Sequence, residues 1–189
     1  MAMTAAYLAL LALVGLGRLL ELRISRRNQR QLENQGVRKV PETIFHWMVL
    51  VHSGVLAGAA AEVVLLHRPL IPALAVTMGV LFALANILRW WVIQTLAGHW
   101  NVEVMASSHI GVVTSGPYRW VRHPNYVAVV IELFTLPMMH TAWITALAGT
   151  AANLEILRRR LRVEEDMLMA DQAYRVAMEA KPRFLPRLF

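Results

Sequence analysis

Long apolar runs separated by short charged segments constrain this chain more than any other feature of its sequence. The runs are Met3–Leu20, Ile44–Leu66, Leu70–Leu96 and Val127–Leu154. An uninterrupted apolar stretch of about 20 residues is what a helix needs to cross a bilayer. Charged residues make up only 16% of the 189-residue chain, against roughly a quarter in soluble domains. That deficit, with a mean hydropathy of +0.47, places the chain in the membrane class. The net charge of +7 would suggest nucleic acid in a soluble protein. Here Lys and Arg crowd the ends of the apolar runs, where the positive-inside rule and anionic headgroups put them. Membrane lipid, not nucleic acid, is the expected partner. The absence of cysteine removes disulfides, thiol catalysis and thiolate metal sites together.

The first run has no basic stretch before it and no small-residue cleavage site after it, so it reads as a retained span. Glu21–Lys39, dense in arginine, reads as a cytoplasmic loop, and Gly98–Tyr126 as a second one. Val127–Leu154 poses a counting problem. As one helix it would be about 42 Å long, too long for a hydrocarbon core of about 30 Å. It is interrupted by Pro137 and by His140-Thr141, and the tail after it is rich in arginine. A hairpin turning at Pro137–Thr141 returns that tail to the cytoplasm. The expected fold is therefore an all-α integral membrane protein with about five transmembrane helices, its N-terminus outside and its C-terminus inside. It forms a single domain over 1–189: three spans in 1–96, a cytoplasmic loop in 97–126, a helical hairpin in 127–154, and a cytoplasmic amphipathic helix and tail in 155–189.

Three groups of residues can carry chemistry. In Gly116–Tyr126, Gly116-Pro117 turns the chain and Pro124 can open a helix at its first turn. His123 then stands at the helix entrance, where exposed N–H groups favour an anion. Tyr118, Trp120 and Tyr126 fit either stacking on an adenine or an interfacial aromatic belt, and composition favours the belt. Arg119 and Arg122 fit interfacial anchors. In Arg160–Glu165, Arg160 and Glu164 share a helix face and Glu165 points away from it; a salt-bridged surface helix fits the same pattern. The third group is the polar residues inside apolar runs: His46, His52, Glu62, Asn86, Arg89, Glu132 and His140. Such residues face cavities or partners. Glu62 and Arg89 fall toward opposite membrane faces. Glu132 either lines a site below the loop or is a buried structural group. None has zinc-ligand spacing, so no metal is expected.

GPYRWVRHPNY (116–126), an apolar hairpin, RLRVEED (160–166) and a tail PRFLP (182–186) together resemble the isoprenylcysteine carboxyl methyltransferase family. The resemblance covers roughly Arg89–Pro186. Glu21, Ser25, Arg27-Asn28 and His52 are further similar to a bacterial branch associated with methylating lipid-like polyketides. It implies a bacterial inner-membrane enzyme that uses S-adenosylmethionine as co-substrate to methylate a lipophilic or prenylated acceptor drawn from the bilayer. It also implies roles. Tyr118, His123, Pro124, Asn125 and Tyr126 would bind the donor, with Gly111, Val112 and Val113 cradling it in a strand-like approach. Glu103, Glu164 and Glu165 would complete the donor site. Arg160 would face the acceptor, so that Arg160 and Glu164 form the catalytic pair. The sequence departs from the family at His109-Ile110-Gly111-Val112-Val113, which has an extra residue, and at Ala170-Asp171-Gln172, where Phe-Gly is usual. RHPxY strings also occur in sterol reductases, so a membrane reductase using NADPH is the competing enzyme reading. A non-catalytic membrane subunit is the third.

Overall fold

The structure, a computed structural model, describes residues 1–39, 44–103, 105–106 and 111–186. It consists of helices α1 (Ala2–Asn34), α2 (Ile44–Leu65), α3 (Pro72–Leu96), α4 (Pro124–Met138), α5 (Trp143–Ala170) and α6 (Gln172–Met178). Strands β1 (Arg38–Lys39) and β2 (Met105–Ala106) form one short antiparallel pair, with Arg38 opposite Ala106. By length and composition α1, α2 and α3 can each cross a membrane, and α4 is a shorter apolar helix. On α3, Val76, Val80, Leu84 and Ile87 form an exposed apolar stripe that suits lipid. Ala85, Arg89, Val92 and Ile93 form the buried one.

The expected hairpin is present. Helix α4 ends at Met138 and α5 starts at Trp143, with Thr141 at φ 53 in the turn. The first turn of α5 has no cap from its own N-cap residue, Ala142. Glu62 of α2 supplies one instead. It accepts from the N–H of Thr145 at 2.8 Å, from the Thr145 hydroxyl at 2.8 Å and from the N–H of Ile144 at 3.2 Å. Arg68 holds the same carboxylate at 2.9 Å. Helix-start N–H groups have no partner within the helix, so an anion there satisfies donors and complements the dipole. Glu62→Ala leaves these donors and Arg68 unmatched. A loss of about 1–3 kcal/mol of stability follows, read as a lower unfolding temperature in detergent; an unchanged transition would contradict this role.

Two features differ from the sequence reading. The charged segment after Leu20 is helical to Asn34, so α1 is about 50 Å long. Charge alone does not break a helix. Arg, Leu, Glu and Gln are good helix formers, and the first strong breaker is Gly36, whose φ of 85 few other residues adopt. The extension also has work to do. Asn28 donates to the carbonyls of Ala97 and Trp100 at 3.0 and 2.8 Å, and Ser25 binds Asn101 at 2.9 Å. It thereby grips the start of the α3–α4 connection. Second, the hairpin helix and the amphipathic helix are continuous to Ala170, so α5 runs unbroken from the apolar region into the charged tail.

Inside the bundle Arg18, Glu21, Arg89 and Glu132 form a closed network. Arg89 meets Glu132 at 2.8 Å and Glu21 at 3.4 Å, while Arg18 meets Glu21 at 2.7 Å and Glu132 at 3.0 Å. Two cations face two carboxylates, which is how charge is accommodated at low dielectric. Glu132 is thus a buried network member, and Glu62 and Arg89 are engaged separately, as the topology required. Helix α3 packs most extensively on α4, while α5 packs on both α2 and α4. The α2–α5 contact is close. A side chain at Gly149 would collide with Val55, and one at Gly58 would lie 3.2 Å from Thr145.

Candidate functional site

The site is assembled where the end of α3, the start of α4 and the last turns of α5 meet. Gly116–Arg119 forms a 3-10 turn. Gly116 opens it at φ 54, with Thr95 so close that no side chain fits there. Pro124 begins α4, and His123 is its N-cap residue. The chain therefore enters α4 as the Pro-initiated helix expected from the sequence.

Two clusters flank this entrance. In the first, the Tyr126 hydroxyl donates to Glu164 and accepts from Arg160 Nε at 3.1 Å. One phenol thus joins the two α5 residues that share a face. Arg160 also reaches Met48 of α2 through Nη1, at 3.6 Å from the sulfur. In the second cluster Glu165 is the hub. It binds His123 Nε2 at 3.2 Å, Arg122 at 3.2 Å and Arg183 of the tail at 2.6 Å. His123 stacks on Tyr126, with ring centroids 5.3 Å apart and planes 6° apart, and so links the clusters.

The tail straps the entrance from outside. The N–H groups of Arg122 and His123 donate to the carbonyls of Pro182 and Arg183 at 3.0 and 2.9 Å. Lys181 donates to the Tyr118 carbonyl at 2.7 Å, and Phe184 lies 6.3 Å from the His123 ring. Burial raises the Glu165 carboxyl pKa, but Arg183, Arg122 and His123 outweigh it and hold the group below its ordinary value. A depressed carboxylate contributes stability above its unfolded pKa and loses it as pH falls through the folded one. The strap is therefore expected to stay closed at neutral pH and to loosen only as pH falls below the ordinary carboxylate range. Faster proteolysis of the tail in acid than at neutrality checks this; equal rates at both would contradict it. Tyr118 and Tyr174 both lie near Glu164. Burial, then that charge, raises the Tyr118 pKa and pushes Tyr174 up to about 12, so both phenols remain neutral donors.

The structure thus brings together Tyr118, His123, Pro124, Asn125, Tyr126, Arg160, Glu164 and Glu165. It does not join the remaining expected residues to them by a hydrogen bond among the described residues. Glu103 lies in the α3–α4 connection, its N–H on Asn101 Oδ1 at 3.0 Å. Gly111, Val112 and Val113 form an irregular segment rather than a strand, with open space beside Gly111. A backbone cradle needs no strand. His109-Ile110, part of the departure noted above, lies outside the described residues. Sequence reasoning missed Met48 and Tyr174 and gave Arg122 only an anchoring role. The PRFLP string was the one signal for Arg183 and Phe184.

The fit of a charged, hydroxyl-bearing donor is testable on the polar atoms left over. Arg122 Nε and Asn125 Oδ1 are enclosed without a hydrogen-bond partner. Buried polar atoms are normally satisfied, so a free donor and a free acceptor beside a helix N-terminus suit a ligand bearing both kinds of group. No cluster of metal-ligating residues occurs among the described residues.

A sequence model of the isoprenylcysteine carboxyl methyltransferase (ICMT) family matches residues 75–170. The chain belongs to the ICMT family. That match covers the buried face of α3, the site loop and the hairpin through the Glu164-Glu165 pair. A Bacillus subtilis (strain 168) protein, the uncharacterized YpbQ, is 27% identical over 160 residues, 84% of this chain and 94% of that protein. A solved structure of the eukaryotic intramembrane Ras methyltransferase ICMT is similar in fold, with a TM-score of 0.56 at 21% identity. The match covers 72% of this chain and 50% of that one, so the chain spans about half the length of the solved relative. Family and fold together make this a multi-pass membrane protein of methyltransferase type.

Proposed function

We propose that this chain is a membrane O-methyltransferase that moves a methyl group from S-adenosylmethionine to a lipophilic acceptor, an isoprenylcysteine carboxylate or a lipid-like hydroxyl. The observation that carries the reading is the convergence of Arg160 and Glu164 on the Tyr126 hydroxyl, beside a helix entrance with unspent polar atoms. When bound, the sulfonium donor supplies an electrophilic methyl group. The chain's own task is therefore positioning, which can contribute several kcal/mol by orientation alone.

Arg122 Nε, Asn125 and the N–H groups at the start of α4 would hold the donor's polar ends. Glu164, Tyr118 and Tyr126 would line the same pocket, with Glu103 and the Gly111–Val113 backbone closing it. His123 and Glu165 would fix the entrance and carry the tail strap. Arg160, which donates to the Tyr126 hydroxyl, would meet the acceptor oxygen through charge-assisted hydrogen bonds. The single domain would place its arginine-rich face and C-terminus in the cytoplasm of a bacterial inner membrane, where the donor is made.

Calorimetric titration with S-adenosylhomocysteine tests the donor assignment. Saturable binding that weakens on Asn125→Ala supports it. Binding of NADPH with none of S-adenosylhomocysteine would replace it with the reductase reading.

A further inference from the structure

Helix α1 keeps a buried stripe past its apolar run: Glu21, Ser25, Asn28 and Leu32 all face inward. Two of these side chains hold one segment, the Ala97–Glu103 connection that leaves α3. The Asn28 side-chain amide donates to the carbonyls of Ala97 at 3.0 Å and Trp100 at 2.8 Å. The Ser25 hydroxyl donates to Asn101 Oδ1 at 2.9 Å and accepts from the Val102 N–H at 2.9 Å. Asn101 Oδ1 also accepts from the Glu103 N–H at 3.0 Å, so the grip reaches Glu103.

The segment so held is not one the chain adopts freely. Ala97, which closes α3, sits at φ 47 and ψ −119, a region open to glycine and costly for a residue with a Cβ. Such a conformation persists only where neighbours enforce it. The Ala97 carbonyl is held twice, by Asn28 and by the Trp100 N–H at 3.1 Å. Past this turn Trp100 is buried with Val92 and Ile93, and Tyr118 of the site packs on the same cluster. Trp100 Nε1 and Asn101 Nδ2 are enclosed with nothing to donate to. Buried donors are normally satisfied. A segment held with two of them unspent suits the wall of a pocket whose ligand carries oxygen acceptors.

We propose that Ser25 and Asn28 are positioning residues for the methyl donor: they fix the strained Ala97–Glu103 connection and through it seat Glu103 and Tyr118 at the donor pocket. This rests on the methyltransferase reading. Neither residue needs to touch the donor. Their side chains are spent on the connection, and the effect is one of preorganisation. A pocket that holds its binding-competent shape for only a fraction of the time loses affinity by that fraction. Helix α1 lies outside the family match at residues 75–170, and this role gives it a part in donor affinity.

In the test, the purified full chain is titrated calorimetrically with S-adenosylhomocysteine, and the unfolding temperature is read on the same samples. Asn28→Ala is expected to weaken binding by about tenfold, the scale of two lost hydrogen bonds. Ser25→Ala removes a single hydroxyl; it should weaken binding by about threefold and carries the test where Asn28→Ala does not fold. Ala97→Gly makes the turn accessible without help, so adding it to Asn28→Ala should recover most of the affinity. Glu62→Ala, which loosens the start of α5, is the control: it should lower the unfolding temperature and leave affinity unchanged. Unchanged affinity in both single variants, loss of the fold in both, or no recovery in the double variant overturns the assignment. So does a loss of affinity in Glu62→Ala as large as in Asn28→Ala. No binding of S-adenosylhomocysteine by the native protein sinks the donor reading itself.

Discussion

Arg160→Ala is expected to lower turnover by about a hundredfold to a thousandfold, the scale of losing one preorganised charged donor at a developing reaction centre. Arg160 is buried and directs Nε at the Tyr126 hydroxyl at 3.1 Å. Alanine removes the cation proposed to face the acceptor and one of the two hydrogen bonds on the Tyr126 hydroxyl. The other restraint, the hydrogen bond from Tyr126 to Glu164, survives. So does the strap around Glu165, which does not involve Arg160. S-adenosylhomocysteine should therefore bind the variant nearly as well as the native protein. Equal losses in donor-analogue affinity and turnover would show that Arg160 only supports the pocket. Lysine at 160 should recover little, since an ammonium cannot reproduce the planar fork.

His123→Ala is expected to have the opposite signature. His123 occupies the N-cap position of α4, and its ring stacks on Tyr126 and binds Glu165, so its loss disturbs the entrance rather than the proposed acceptor side. Affinity for S-adenosylhomocysteine should fall by about tenfold or more, or at least ~1.4 kcal/mol. Turnover at saturating donor should suffer less than in Arg160→Ala. Glu165 keeps Arg122 and Arg183, so the fold should survive. Unchanged affinity would remove His123 from the donor site.

How far the sequence announces all this depends on how local each cause is. Spans and hairpin are legible because lipid contact forces long apolar runs, and because Pro137 and the arginines after Leu154 leave one economical topology. The pairing of Arg160 with Glu164 is legible because helix geometry fixes it. The continuation of α1 to Asn34 is not, because positive charge marks a membrane face without saying whether the chain there is helix or loop. Ser25 and Asn28 look like loop residues until the α3–α4 connection they hold is in place. Met48 is less legible still. Its contact with Arg160 comes from the register of α2 on α5, which follows from the close approaches at Gly58 and Gly149. Glu165 was read with the donor, but its observed partners are Arg122, His123 and Arg183, and the last of these arrives from a tail with no periodic signal.

The most direct test of the central claim is transfer itself. Membranes containing the protein are incubated with S-adenosylmethionine carrying a radiolabelled methyl group, and lipid-extractable products are separated from protein. The account predicts label in a lipophilic product, dependent on the protein and nearly abolished by Arg160→Ala. No label above background in either fraction, or label indifferent to Arg160→Ala, would contradict it.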